Sequence, residues 1–341
     1  MMSPGFAIAR TARLRWRIMS TPCAFVPYLR RRLFWLPLFL VSGLAVGNVR
    51  AQDPGPGVLR QRPLPEPADP KLPSLVLVGD STVRNGEGDG ANGQWGWGEP
   101  LAALFDSARI NVVNRALGGR STRTYITQGL WDQTLAVLKP GDFLMIQFGH
   151  NDSSAVNDAS RARGTLPGTG DETQEIDNLL TKQHEVVHTY GWYLRKYLAD
   201  AKAKGVTPVV CSPVPRKIWK DGRIERASQD YGKWAAEVAR DAGVAFVDLN
   251  EIIARRYEEL GPAAVEALFA DEHTHTTSAG AEIAARCVVL ALKGLADCPP
   301  CRFLSAKADT PSALTVDPGL PHLEQHGGAT QPVLNGRPGG E

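Results

Sequence analysis

Five short runs constrain this chain more than anything else in it: "SLVLVG" at 74–79, "INVVNRA" at 110–116, "DFLMIQFG" at 142–149, "VTPVVCS" at 206–212 and "VAFVDL" at 244–249. They are β-branched or apolar nearly throughout, which suits strands covered on both faces. The stretches between them have helical spacing. In 186–205, Val187, Trp192, Leu194, Tyr197, Leu198 and Ala201 mark one apolar face and Gly205 the C-terminal cap. Further helices are expected at about 98–107, 129–138, 228–242, 249–260 and 278–294. Strands alternating with helices predict an α/β fold, a three-layer α/β/α sandwich around a five-stranded parallel sheet. Ligands in such folds sit beyond the carboxyl ends of the strands.

The formal charge of +2 misleads. Residues 1–51 carry eight of the 38 basic residues and no acid, so the remainder has 30 basic against 36 acidic residues, a balance near −6. That argues against a nucleic-acid partner. The same block holds "RRR" at 30–32, the apolar run "LFWLPLFLVSGLAVG" and "VRA" before Gln52, the layout of a signal peptide cleaved after Ala51, with Met19 as an alternative start. The apolar run is short of the roughly 20 residues a membrane span needs. A secreted or periplasmic location without stable membrane association is therefore expected. Residues 52–73 are Pro-rich and read as a linker, 74–303 as the folded domain and 304–341 as a disordered tail. Export would permit a structural disulfide among Cys287, Cys298 and Cys301, with the pairing open.

The chemistry-bearing residues stand where the strands end. The first run leads into "GDSTV", placing Ser81 on a sharp turn; the second ends in "NRALGGRS", the third in "GHND". Gly118 and Gly119 can bring backbone N–H groups close to a reacting atom. Together these supply a hydroxyl nucleophile, three oxyanion donors (the Ser81 and Gly119 N–H groups and the Asn151 amide) and, in "DEHTHTTSAGA" at 271–281, a histidine base backed by an acid. Such a set performs acyl transfer without a cofactor.

Here the chain resembles the SGNH, or GDSL-like, hydrolases: "GDST", "NRALGGRST", "GHND" and "HTHTTSAGA" stand in that family's order and spacing over about 74–295. "GGRSTRTY", "TYGWYLRKY" and the His-Thr-His ending are similar, more narrowly, to rhamnogalacturonan acetylesterases and related bacterial pectin deacetylating enzymes. The resemblance implies a flavodoxin-like sheet, Ser81 as nucleophile, His275 as base, and Gly119 and Asn151 as oxyanion donors. The family's acid lies three residues before its histidine, where this chain has Glu272, with Asp271 one residue further out. Spacing favours Glu272; a bulged loop would bring in Asp271 instead, which otherwise caps the loop.

Other residues carry weaker readings. Trp95 and Trp97 either stack on sugars at the rim or pack the first helix. Arg120 and Arg123 can meet uronate carboxylates, and Arg216 can line the cleft with Trp219. His273 is expected to bond backbone or substrate, and Asp80 to brace the Ser81 turn. "HEVVH" at 184–188 matches the H-E-x-x-H zinc pattern, which needs a helix to bring its imidazoles together; Leu194 stands where a third histidine would, so no metal is assigned. The expected function is a secreted carbohydrate esterase that removes O-acetyl groups from plant cell-wall polysaccharide, pectic rhamnogalacturonan first. The alternatives are a GDSL-type lipase, thioesterase or xylan deacetylase, and a non-catalytic polysaccharide-binding protein.

Overall fold

The computed structural model describes residues 63–226 and 230–309. The expected signal peptide and the first part of the expected linker lie outside the described residues, as do residues 310–341 of the expected tail. The central sheet contains β1 (Ser74–Gly79), β2 (Asn111–Asn114) and β3 (Phe143–Gln147). A hairpin outside the sheet follows, β4 (Thr173–Asp177) with β5 (His184–His188). Strand β6 (Thr207–Cys211) returns to the sheet, β7 (Trp219–Lys220) and β8 (Arg223–Ile224) form a small second hairpin, and β9 (Ala245–Val247) ends the sheet. The sheet order is β2-β1-β3-β6-β9 with every pairing parallel, so the five-stranded expectation holds.

Two helix layers follow from the alternation of buried side chains along each strand. Leu75, Leu77, Phe143 and Met145 face a core completed by α1 (Gly98–Leu101), α6 (Leu249–Leu260) and α8 (Ser278–Lys293). Val76, Val78, Leu144 and Ile146 face the opposite core, built by α2 (Thr122–Thr127), α3 (Leu130–Val137), α4 (Tyr190–Ala203) and α5 (Tyr231–Asp241). A short α7 (Pro262–Glu266) carries the chain from α6 toward the last loop.

Three expectations need correction. The helix expected over 186–205 begins only at Tyr190, where the Thr189 side chain accepts a bond from the Trp192 N–H. Residues 184–188 form β5 instead, with Val187 buried and Val186 exposed. This alternation has the period of a strand. The end of the expected linker is not a free spacer: the Pro65 carbonyl accepts from Arg115, Asn111 donates to the Asp69 carbonyl, and the Leu72 carbonyl accepts from Lys139. At the other end, residues 304–309 are ordered; Ser305 N–H donates to the Leu104 carbonyl and Lys293 pairs with Asp309. Cys298 and Cys301 form the disulfide, and Cys287 is a buried thiol.

Candidate active site

The turn after β1 is held by a buried polar chain. The Asp80 carboxylate accepts from the Thr82 N–H (2.9 Å) and hydroxyl (2.7 Å), Gln147 donates to Thr82 Oγ1 (2.7 Å), and the Trp97 indole N–H donates to Gln147 (2.7 Å). Asp80 thus braces the turn, as expected. Burial alone would raise its pKa, but the His150 ring and the Thr82 bonds outweigh that and hold the carboxyl below its usual value. Gly79 is required by close approach, since a Cβ there would stand 2.6 Å from the Gln147 carbonyl oxygen. Ser81 is thereby fixed at the rim, partly exposed.

His275 Nε2 lies 2.8 Å from Ser81 Oγ, and His275 Nδ1 bonds Asp271 Oδ2. The loop around Asp271 explains which acid is used. Its Oδ1 accepts from the N–H groups of His273 (3.2 Å), Thr274 (2.7 Å) and His275 (2.9 Å), so the chain coils around that carboxylate. The Ala270 N–H, donating to the His275 carbonyl, closes the turn. The spacing that favoured Glu272 is therefore misleading. Its side chain is 92% exposed and its carboxylate lies 3.8 Å from the His273 ring, while Asp271 holds His275 Nδ1. Burial works to raise the Asp271 pKa, yet the N–H bonds from His275 and Thr274 and the His275 ring prevail and bring it down to about 2. It is therefore an anion at neutral pH, able to fix the His275 tautomer and stabilise an imidazolium.

The second strand's loop stands against the nucleophile. A Cβ on Gly118 would be 3.5 Å from Ser81 Cβ, and Gly119 has φ +75°, which favours glycine. The Asn151 amide donates to the Arg120 carbonyl (2.9 Å), tying the third strand's end to this loop and leaving a second amide hydrogen. The structure brings Ser81, Gly119, Asn151, His275 and Asp271 to one rim of the sheet.

Several expected contacts are not there. Trp97 is core, 2% exposed, and serves the turn from beneath. Trp95 contributes backbone: its N–H donates to the Thr276 carbonyl and its carbonyl accepts from the Thr276 hydroxyl, clamping the residue after His275. Arg123 is fully buried, its guanidinium held by both Glu185 oxygens (2.6 Å each) and by the Val156 and Gly164 carbonyls, so it cannot meet substrate. This pair also occupies the acid of the "HEVVH" pattern. On a strand its two histidines stand about 13 Å apart along the chain, too far to share a metal.

Arg216 is exposed and, with His150, Ser153, Val214 and Tyr231, lines a cleft of about 90 Å³ beside Asn151. The neighbouring Lys217 N–H donates to the His273 carbonyl, so this loop abuts the His273 turn, while the His273 ring nitrogen Nδ1 lies 3.8 Å from the Glu272 carboxylate.

Sequence reasoning missed two residues. Asp152, in "GHND", is completely buried, with Oδ1 accepting from the Thr122 N–H and hydroxyl and Oδ2 without a partner. Burial first, opposed by the Thr122 bonds and aided by Asp80, pushes its pKa up to about 7. Arg163, on the loop before β4, donates to the Gly119 carbonyl (3.3 Å) and to Ser154 (3.1 Å). Nothing in its sequence neighbourhood marks it.

The parallel sheet and this rim agree with a match to the GDSL-like lipase/acylhydrolase family over residues 77–283, well over half the chain. The chain belongs to that family of ester hydrolases. Among curated relatives, it is 32% identical to a rhamnogalacturonan acetylesterase of Emericella nidulans over 62% of this chain and 81% of that protein. It is also 32% identical to a probable rhamnogalacturonan acetylesterase, YesY, of Bacillus subtilis over 65% of this chain and 93% of that one. Among solved structures, the YxiM protein of Bacillus subtilis superposes with a TM-score of 0.53 at 25% identity, covering 66% of this chain; the chain spans 58% of YxiM.

Proposed function

We propose that this protein is an exported carbohydrate esterase that removes O-acetyl groups from acetylated polysaccharide, pectic rhamnogalacturonan first, through an acetyl-enzyme on Ser81. The observation that carries the reading is the continuous Ser81–His275–Asp271 hydrogen-bonded chain beside Gly119 and Asn151. Ser81 Oγ attacks the acetyl carbonyl as His275 Nε2 takes its proton, and Asp271 stabilises the imidazolium. The tetrahedral oxyanion is received by the Ser81 and Gly119 N–H groups and the Asn151 amide. Each such donor is worth about 2.7–4 kcal/mol of barrier in comparable sites. His275 then protonates the leaving sugar hydroxyl, the acetyl group stays on Ser81, and a water activated by the same imidazole releases acetate.

Support for a sugar leaving group comes from the named activities of the relatives. The test is acetate release from acetylated rhamnogalacturonan, xylan and a chromogenic acetate ester. Fastest turnover on the pectic polymer supports the reading. Equal rates on all three would remove the pectic assignment, and no release from any would remove the esterase.

A further inference from the structure

His150 stands between two parts of the site, and its ring is held on both sides. Nδ1 lies 3.3 Å from Asp80 Oδ2 and Nε2 lies 3.0 Å from the Val214 carbonyl oxygen, with 9% of the side chain exposed. Both partners are acceptors. A carbonyl oxygen has no proton to give and neither has an ionised carboxylate, so the two bonds together require an N–H on each ring nitrogen, which is the imidazolium. The alternative places the proton on Asp80, but that carboxyl is held below its usual value and already accepts from the Thr82 N–H and hydroxyl through Oδ1. Asp80 is also completely buried, and among the described residues its ion pair is with His150. A buried carboxylate left without a cation is costly.

What the ring joins gives these two protons a use. On one side is the carboxylate that precedes Ser81 and braces its turn. On the other is the loop after β6, which abuts the turn that carries the base: the Lys217 N–H donates to the His273 carbonyl (2.9 Å), and Lys217 Nζ pairs with Glu266 (2.7 Å) and lies over the Phe269 ring. His150 also immediately precedes Asn151. The approach of His275 to Ser81 is thus held through His150 in addition to the clamp of Trp95 on Thr276.

We infer that His150 is a positioning residue for the Ser81 reaction: with both ring nitrogens protonated it ties the nucleophile turn to the loop beside the base, and loss of either proton breaks one side of that tie. This role rests on the esterase reading and adds to it a loss of rate on the alkaline side. As pH rises and one N–H leaves, the ring keeps Asp80 or Val214 but not both. The charged and titratable groups around it are Asp80 from the β1 turn, Asp152, close enough to Asp80 for the two carboxyls to repel, Arg163, which the charges of both carboxyls reach, and Arg216, Glu225 and Tyr231, which line the same cleft. Of these, Asp80 bonds the ring. A brace whose charge does not matter predicts something different: its loss would slow the enzyme by the same factor at every pH.

The test is the pH profile of kcat on a chromogenic acetate ester for the wild type, His150→Gln and His150→Asn. Each amide can serve one of the two acceptors, and neither titrates. The wild-type rate should fall on the alkaline side of its maximum. Both variants should be slower at that maximum by about tenfold, the worth of one hydrogen bond, with KM little changed and the alkaline fall gone, while the acid limb set by His275 stays. A wild type with no alkaline fall, or a fall that persists in both variants because Asp152 or another group carries it, would overturn the inference. Nitrogen-15 spectra of histidine-labelled enzyme count the ring protons without turnover. The signals missing from either variant should show protons on both nitrogens at the pH of the maximum and lose one as the rate falls; a singly protonated ring at the maximum would overturn the inference. Two ring N–H signals from His150 in a protein that hydrolyses no acetate ester would sink the esterase and leave the His150 tie standing.

Discussion

At the residue scale, the choice between two adjacent acids turns on how a five-residue loop coils. By the family's three-residue spacing Glu272 would be the partner for His275, but three N–H groups converge on Asp271 Oδ1 and wind the chain so that Asp271 faces the imidazole. No one-dimensional spacing shows this, because it depends on the carboxylate capping its own turn. Asp271→Asn should lower the rate by several orders of magnitude, with about 10⁴ the measured loss for a comparable triad aspartate. Glu272→Gln, exposed and remote, should stay within about tenfold. Steady-state rates on a chromogenic acetate ester check the pair, and the reverse ordering would refute the assignment. Asp152 gives a second test. Its pKa rises from 3.8 in the unfolded chain to about 7 in the fold, so between those values the folded state holds a proton the unfolded chain has released. Its contribution to stability is intact below about pH 4, is lost progressively as pH rises, and levels off above about 7. Asp152→Asn cannot ionise. The melting temperature of the variant minus that of the wild type should climb between pH 4 and pH 7.5; parallel curves would show that this carboxyl does not titrate there.

At the element scale, the strands were legible because fully buried parallel strands are written as short apolar runs, and the helices at 249–260 and 278–294 because their apolar stripes repeat at helical spacing. The β4–β5 hairpin was not. Its residues alternate over only five positions, and the helical pattern of α4 ran on through Val187 with no visible break. What holds the hairpin is tertiary: Glu185 grips the buried Arg123, and the same guanidinium pins the carbonyls of Val156 and Gly164. Arg123→Met should therefore cost about 3–5 kcal/mol, the penalty of leaving one partner of a largely buried pair. Hydrogen exchange should speed up first in the amides of 173–188, with β1 and β3 still protected. Uniform protection across the hairpin in that variant would show that the ion pair is not its anchor.

At the scale of the whole molecule, one sheet does two jobs. Its faces bury the two cores, and its carboxyl edge gathers side chains from positions as distant as 81, 151 and 275 and the backbone of Gly119. The sequence could place the glycine loop, "GDST" and "GHND" at that edge because each immediately follows a strand. It could not show that Trp97 and Arg123 are consumed inside the fold, or that Arg163 arrives at the edge from a polar loop. Residues 63–73 belong to the same unit, since Arg115, Asn111 and Lys139 each donate to that segment. A chain beginning at residue 74 should therefore melt several degrees below one beginning at residue 60. Equal melting temperatures would make the segment a passive spacer.

The central claim is that the acyl group passes through Ser81. Quenching the enzyme in acid during turnover of an acetate ester, then digesting it and reading the peptides by mass spectrometry, tests this directly. An acetyl group on Ser81, absent after Ser81→Ala together with at least a thousandfold loss of rate, is the predicted result. Acetylation at another residue, or a Ser81→Ala protein that keeps a tenth of the wild-type rate, would contradict it.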